Sequence, residues 1–316
     1  MSQKKIIAIF GATGAQGGGL ARAILQDKNS DFSVRAITRD VDSENAKTLK
    51  QMGADVVSAD VDDAESVKKA MKGTYGAYCV TFYWAHLKPD KEIAEAKIMA
   101  EAAKENDLKH VIWSTLEDTR KWVPLSDDRM PTLMGKYKVP HFDAKGEADH
   151  FFTDAGVPTT FLRPSFYWEN MIYFGMGPKK GADGALQLTL PMGDKKLSGI
   201  AGEDIGKCAY GIFKMGPSLA GKTIGVAGDE LTGEQMAAAL TKALGQEVKY
   251  LPVTPATFRS FGFPGADDLG NMFQFYQEFE DLCTSVRNVR YSKELNPAIQ
   301  SFDEWLQNNA KKIPLE

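Results

Sequence analysis

The chain is poor in cysteine. Only Cys79, Cys208 and Cys283 occur among 316 residues, far apart and odd in number. Such a set builds neither a disulfide framework nor a zinc site, and it fits a reducing compartment. Long apolar runs are also missing. The longest uncharged stretch, Ile6–Ala21, is interrupted by glycines, so no segment reads as a membrane span. A signal-peptide reading of the N-terminus, with Lys4-Lys5 as its basic head, fails too, because the apolar run Ile6–Phe10 stops after five residues. There is no excess of basic charge: Lys plus Arg is 38 against 42 for Asp plus Glu, a net charge of −4. With no recognition module in view, direct nucleic-acid binding is not expected. Repeats, low-complexity tracts and sets of metal-ligand spacing are absent as well.

What is present is ordinary globular composition, 43% hydrophobic and 25% charged. At 316 residues the chain exceeds one core of usual size. Its first half alternates two patterns. Ile6–Phe10, Val34–Thr38, Val56–Ala59, Ala77–Thr81, Val111–Ser114 and Thr159–Leu162 are near-continuously apolar or β-branched, as strands covered on both faces are. Gly18–Gln26, Asp42–Met52, Ala64–Met71 and Lys91–Glu105 have helical spacing, with Asp42 and Asp62 placed to cap and Gly53 and Gly73 placed to terminate. The alternation predicts an α/β fold with a Rossmann-type, doubly wound parallel sheet over residues 1–165. Residues 166–316 read as a smaller mixed α+β lobe, with some chain crossing between the two. There Leu186–Leu190, Lys222–Val226 and Val248–Pro252 read as strands, and Glu203–Met215 and Thr232–Leu244 as helices. Glu117–Pro140 has few periodic apolar positions and reads as a long loop, either a lid or partner surface or a mobile excursion.

The strongest chemical signal is Gly11-Ala12-Thr13-Gly14-Ala15-Gln16-Gly17, which follows a strand and opens a helix. Gly11 makes the tight turn, Gly14 lets backbone approach a pyrophosphate, and Gly17 lets helix pack on strand. A diphosphate would then rest on unpaired N–H groups at a helix N-terminus. Thr13 and Gln16 lie in the same turn. The second strand ends Thr38-Arg39, where NAD-binding chains usually carry an acid. A guanidinium there favours a 2′-phosphate and hence NADPH or NADP⁺. The neighbouring Asp40 opposes that phosphate, and Lys47 is a weaker second cation. Asp60 and Val61, ending the third strand, suit the adenine amino group and ring. Thr81, Phe82 and Tyr83 end the fourth, at the edge where a dinucleotide lies.

Taken together, these motifs resemble the NmrA-like family, an atypical branch of the short-chain dehydrogenase superfamily. The resemblance is carried by Gly11–Gly17, Thr38-Arg39, Val80–Trp84, His141–Glu147 and Leu162–Asn170. Gly262–Met272 is similar to the C-terminal part of the animal NADPH-sensor members. The resemblance implies a Rossmann domain with a smaller lobe and NADP(H) binding. It also implies either regulation of a partner protein by cofactor state or reduction of small molecules. By position it places Ser165, Tyr167 and Asn170 beside the nicotinamide, and Ser114 where the superfamily keeps a catalytic serine.

Ordinary members of the superfamily carry Tyr-x-x-x-Lys, with the lysine on the nicotinamide ribose and the tyrosine passing a proton. Here the pair is His141-x-x-x-Lys145. Lys145 can still hold the ribose, and the tyrosine is missing. Imidazole is a candidate replacement because it titrates near neutrality, so the catalytic candidates are His141, Lys145 and Ser114. Tyr210-x-x-x-Lys214 matches the motif but lies on the wrong segment, so Tyr210 reads as packing. The missing tyrosine puts a redox-responsive, NADP(H)-binding regulator first. A reductase of planar quinones or enones, whose chemistry depends less on a protein acid, stands as the alternative. The expected partners are a protein that reads cofactor state, a planar small molecule and a second copy of the chain. The cytoplasm, with the nucleus as an additional site, is the expected location.

Overall fold

Strands that are apolar on both faces are stable only when helices cover both sides of their sheet. The chain achieves this in a computed structural model that describes residues 3–181 and 184–315. The first half runs β1 (Lys5–Ile9), α1 (Ala15–Gln26), β2 (Phe32–Thr38), α2 (Glu44–Gln51), β3 (Asp55–Ser58), α3 (Ala64–Met71), β4 (Gly76–Cys79), α4 (Pro89–Glu105), β5 (His110–Ser114), α5 (Pro140–Asp154) and β6 (Thr159–Arg163). The second half runs β7 (Phe166–Tyr167), α6 (Asn170–Tyr173), β8 (Lys179–Lys180), β9 (Leu186–Leu190), β10 (Lys196–Ile200), α7 (Gly202–Met215) and β11 (Thr223–Gly225). It continues with β12 (Asp229–Thr232), α8 (Gly233–Leu244), β13 (Val248–Pro252), α9 (Pro255–Arg259), α10 (Ala266–Glu278), α11 (Glu280–Val286), α12 (Val289–Leu295) and α13 (Phe302–Asn309).

Among the described residues, seven parallel strands form one sheet in the order β11-β6-β5-β4-β1-β2-β3. The order reverses between β1 and β4, which opens a crevice at their carboxyl ends. One face is filled by residues such as Leu20, Ile24, Ile205 and Phe213, the other by Met71, Met99, Trp113 and Phe152. This is the doubly wound, Rossmann-type α/β architecture. Two three-stranded mixed sheets, β12-β10-β7 and β13-β9-β8, belong to the second half. Chain from that half also returns to the large sheet: β11 extends its edge, and α7 packs across α1. A Cβ on Gly19 of α1 would fall 2.8 Å from the Glu203 Cα, so the two helices meet backbone to backbone. Among the described residues no helix is long and apolar enough to cross a membrane.

Two cap assignments shift by one residue. Ser43, not Asp42, accepts from the Ala46 N–H, and the Asp42 N–H is held by the Asp40 carboxylate in the preceding turn. Asp63, not Asp62, caps α3, because the Asp62 carboxylate pairs with Lys91 at 2.5 Å. β4 also ends at Cys79, two residues before Thr81, so Val80–Phe82 form the lip of the crevice. Gly53 and Gly73 take φ of +103° and +72°, the left-handed conformation a helix end requires.

The connection Glu117–Pro140 is neither a mobile excursion nor an overhanging lid. Val123, Met130, Tyr137, Lys138 and Val139 within it are buried, and several join the core of the second lobe beside Phe166, Phe273 and Phe275. The Asp143 carboxylate accepts from the Thr119 amide and hydroxyl and from the amides of Lys138 and Val139 at 2.6–3.1 Å. Asn271 of α10 donates to the carbonyls of Pro131 and Lys138. Its apolar residues follow no period because they fit a neighbouring helix rather than a repeating surface.

Candidate functional site

The glycine turn is built for close approach. Gly11 sits at φ +63°, and its carbonyl accepts from the Gly14 amide at 2.9 Å. A Cβ on Gly17 would lie 2.5 Å from the Gly11 oxygen and 2.8 Å from the Phe10 oxygen, so no side chain fits there. No side chain caps α1, and the amides of its first turn face the crevice as donors. Thr13 is held by a contact the sequence did not disclose: Asn45 of α2 donates to its carbonyl at 3.1 Å.

Beyond β2 and β3 lie the residues read as the adenosine side. The Arg39 guanidinium is exposed and makes no hydrogen bond or ion pair among the described residues. Asp40 Oδ1 accepts from the Asp42 amide and closes a local turn, while Thr38 and Asp40 bond each other through the Thr38 hydroxyl and the Asp40 backbone. Asp60 likewise spends its carboxylate on the Asp62 amide, and Val61 packs against the Met71 core. Lys47 pairs with Glu44 on the surface.

On the other side of the switch point, α5 brings Lys145 to the lip after β4. Its ammonium donates to the Thr81 hydroxyl at 2.6 Å and pairs with Glu92 of α4 at 2.5 Å. The Thr81 hydroxyl in turn donates to Glu92. Phe82 is exposed, whereas Tyr83 is buried in a short helical turn with Trp84. His141 lies one turn before Lys145, on the same face of α5. Its ring packs 4.8 Å from Trp84 and 5.8 Å from Tyr83 between centroids. Nδ1 lies 2.6 Å from the Asp268 carboxylate on α10, which also accepts from the His141 amide at 3.2 Å. Burial and the facing Asp268 carboxylate push the Tyr83 phenol far above its ordinary range, so it stays protonated.

Ser114 is placed differently from a serine that orients a substrate carbonyl. Its hydroxyl donates to Gln16 at 2.8 Å, and the hydroxyls of Tyr78 and Tyr167 also hydrogen-bond the Gln16 amide. These four side chains form a polar knot beneath the first turn of α1. Gln16 and Tyr167 are therefore tied to the frame, and Ser114 has no hydroxyl proton left for an acceptor. Ser165 bonds the Val226 carbonyl and pins the end of β6 to β11, while Asn170 opens α6. Tyr210 donates to Asp27 at 2.8 Å, well away from the crevice, as its packing role requires. Sequence reasoning missed Glu92, Asn45, Trp84 and Asp268 as site residues. Only Trp84 and Asp268 lay within motifs marked for resemblance, and nothing local tied them to His141.

A family model described as the NmrA-like family matches residues 3–306. The chain belongs to the NmrA-like family. The glycine turn, the second-strand arginine and the later motifs thus pointed to the right family. An NmrA-like family domain-containing oxidoreductase, FrzB of Cladobotryum sp, is 30% identical over 86% of this chain and 84% of its own length. Among solved structures, NmrA, described as a negative transcriptional regulator, superposes with a TM-score of 0.79 at 23% identity, over 98% of this chain and 96% of that one. The Citrobacter sp. triphenylmethane reductase complexed with NADP(H) gives 0.75 at 19% identity, over 96% and 99%. The two structural likenesses establish the fold.

The crevice of this NmrA-like chain also carries an acidic cluster behind Lys145. His86 Nε2, Glu92 Oε2 and Glu95 Oε1 lie within 4.8 Å of one another. The set is a poor metal centre. The Lys88 amide donates to His86 Nδ1, which leaves the ring proton on Nε2, the atom a metal would need. Lys145 already balances Glu92. Burial first, then Glu92 and Asp62, raise the Glu95 carboxyl from its ordinary 4.5 to about 7. A raised carboxyl costs nothing below the unfolded value and its full penalty above the folded one. Glu95→Gln is therefore expected to raise the urea midpoint at pH 8 and leave it unchanged at pH 4.5. Equal shifts at both pH values would contradict this.

Proposed function

We propose that this NmrA-like protein binds NADPH or NADP⁺ across the carboxyl edge of its large sheet and reduces small planar acceptors of enone or quinone type. One observation carries the reading. His141 and Lys145, one helical turn apart, both reach the lip after β4, beside the strand whose glycine turn supplies the uncapped amides of α1. The cradle fits a diphosphate because a side chain at Gly17 would collide with its own turn. Arg39, exposed and unpaired among the described residues, fits a 2′-phosphate. When bound, the reduced dinucleotide supplies hydride. The chain's own residues do the rest: Lys145 orients the ribose, the half-buried Trp84 walls the acceptor, and His141 faces it. Support also comes from the FrzB relative, named an oxidoreductase, and from the NADP(H)-bound reductase of the same fold.

The test is calorimetry with NADPH, NADP⁺, NADH and NAD⁺, followed by loss of reduced-nicotinamide absorbance with panels of quinones and enones. Tight NADPH binding, with turnover that falls in Lys145→Ala for both acceptor classes and in His141→Ala for enones, is the expected result. Absence of heat with every dinucleotide would remove the cofactor; binding without turnover of any acceptor would remove the reductase.

The regulatory reading, a protein partner or second copy recognised according to cofactor state, is the second proposal. It rests on the missing tyrosine and on the regulator NmrA among the fold neighbours. It requires the partner to bind the two cofactor states with different affinity. Unchanged oligomeric state and partner affinity across an NADPH titration would end it.

A further inference from the structure

We infer that Asp268 makes His141 the proton donor of this site, in place of the tyrosine that α5 lacks. The inference rests on the proposed reductase reading and adds to it the atom that delivers the proton and the residue that aims it.

Asp268 grips His141 at two points. One carboxylate oxygen takes the ring at 2.6 Å, the other takes the backbone amide at 3.2 Å. A carboxylate only accepts, so Nδ1 carries a proton. That leaves Nε2 as the working atom, and it has no hydrogen-bond partner among the described residues. The ring cannot swing away, because Trp84, Tyr83 and Phe142 pack around it with centroids 4.7–5.8 Å distant. Asp268 is equally fixed. It lies in the first turn of α10 with 4% of its surface exposed, and Gly265, just before that helix, abuts Trp84 so closely that a Cβ would fall 2.8 Å from the indole. The titratable groups facing the ring are Asp268 on α10 and Tyr83 after β4; Lys145 lies one turn further along α5. A carboxylate holding one imidazole nitrogen while the other faces the reacting atom is a general acid–base arrangement that recurs on unrelated folds.

The proton step is balanced in atoms and charge. The reduced dinucleotide of the proposed function supplies hydride to the acceptor carbon, and negative charge develops on the acceptor oxygen. Imidazolium His141 gives its Nε2 proton to that oxygen. The N–H bond breaks as the O–H bond forms, and the electron pair stays on Nε2. Nδ1 keeps its proton against Asp268, and solvent recharges the ring. An enone or ketone needs this proton in the transition state. A quinone, whose reduced oxygens are acidic enough to exist as anions in water, needs it much less. Asp268 is thus a positioning residue and His141 the catalytic one.

The experiment compares Asp268→Asn and His141→Gln with the parent in the full chain. Nitrogen-15 NMR of the histidine rings, recorded without dinucleotide, is expected to show His141 as the Nδ1–H tautomer in the parent and an altered tautomer in Asp268→Asn. NADPH affinity by calorimetry is expected to stay within about twofold, since neither side chain holds the cofactor. Enone turnover is expected to fall by about 100-fold in either variant, with little further loss when both are combined, while quinone turnover falls less than about threefold. A structural role alone would lower both acceptors together, and that pattern overturns the inference. An Nε2–H tautomer in the parent overturns it whether or not any acceptor is reduced. Failure of the parent to reduce any enone or quinone while binding NADPH, with the NMR as expected, would sink the reductase reading and the acid role with it. A folding defect in Asp268→Asn would show as lost NADPH binding, and His141→Gln then decides between the two acceptor classes.

Discussion

Replacing Arg287 with methionine is expected to remove about 3–5 kcal/mol of unfolding free energy, a large part of the roughly 5–15 kcal/mol that holds a typical domain. The guanidinium is fully buried and grips Glu117 through two bonds of 2.7 and 2.8 Å, while its Nε donates to the Pro164 carbonyl at 2.9 Å. One side chain therefore ties the segment after β5, the end of β6 and the junction of α11 with α12. Burial alone would raise the Glu117 carboxyl, but Arg287, together with Arg163, outweighs it and holds it below its ordinary range. Without Arg287, the buried carboxylate loses both hydrogen bonds and keeps only Arg163, 3.8 Å away, as a counter-charge. The stabilisation is present above the ordinary glutamate pKa and is lost as pH falls through the lowered folded value. The gap between parent and variant should accordingly narrow in acid. Urea unfolding at pH 7 checks the magnitude. The pair Arg287→Met with Glu117→Gln should return to within about 1–2 kcal/mol of the parent. A single variant as stable as the parent would show that the ion pair contributes nothing net.

The second large effect concerns the cofactor. Arg39→Ala is expected to weaken NADPH binding by about 10–100-fold, the equivalent of roughly 1.5–3 kcal/mol for charge-assisted bonds to a phosphate. NADH binding should change little, because NADH lacks the 2′-phosphate. The geometry favours the full loss. Arg39 has no partner among the described residues that must first be broken. Calorimetry on parent and variant with both dinucleotides reads this directly. If NADPH and NADH weaken equally, Arg39 acts on the adenine face or on the loop, and the preference for the phosphorylated dinucleotide lies elsewhere. If neither changes, Lys47 becomes the candidate cation.

Several features were readable from the chain alone, for a common reason. The six strands of the first half, the helices after the first four of them, the glycine turn, Arg39 and the pair His141-x-x-x-Lys145 are local patterns. Each follows from side-chain period or from the steric needs of one turn, so neighbouring residues suffice to reveal it. The cap positions were nearly readable. They moved by one residue: Ser43 caps in place of Asp42, and Lys91 takes the carboxylate that the simple rule assigns to the α3 cap. The long connection was misread because its buried residues match the surface of α10, whose shape no period in the connection itself encodes.

The linear chain thus showed the strands of the large sheet, the glycine turn after the first of them and the lack of a tyrosine four residues before Lys145. Tertiary folding alone settled the company those residues keep. Asp268 stands 127 positions from His141, Glu92 comes to Lys145 from another helix, and Ser114 turns to Gln16 instead of the crevice. Charges and hydroxyls act over a few ångströms, and at that range the neighbour is chosen by strand order and helix packing rather than by position along the chain.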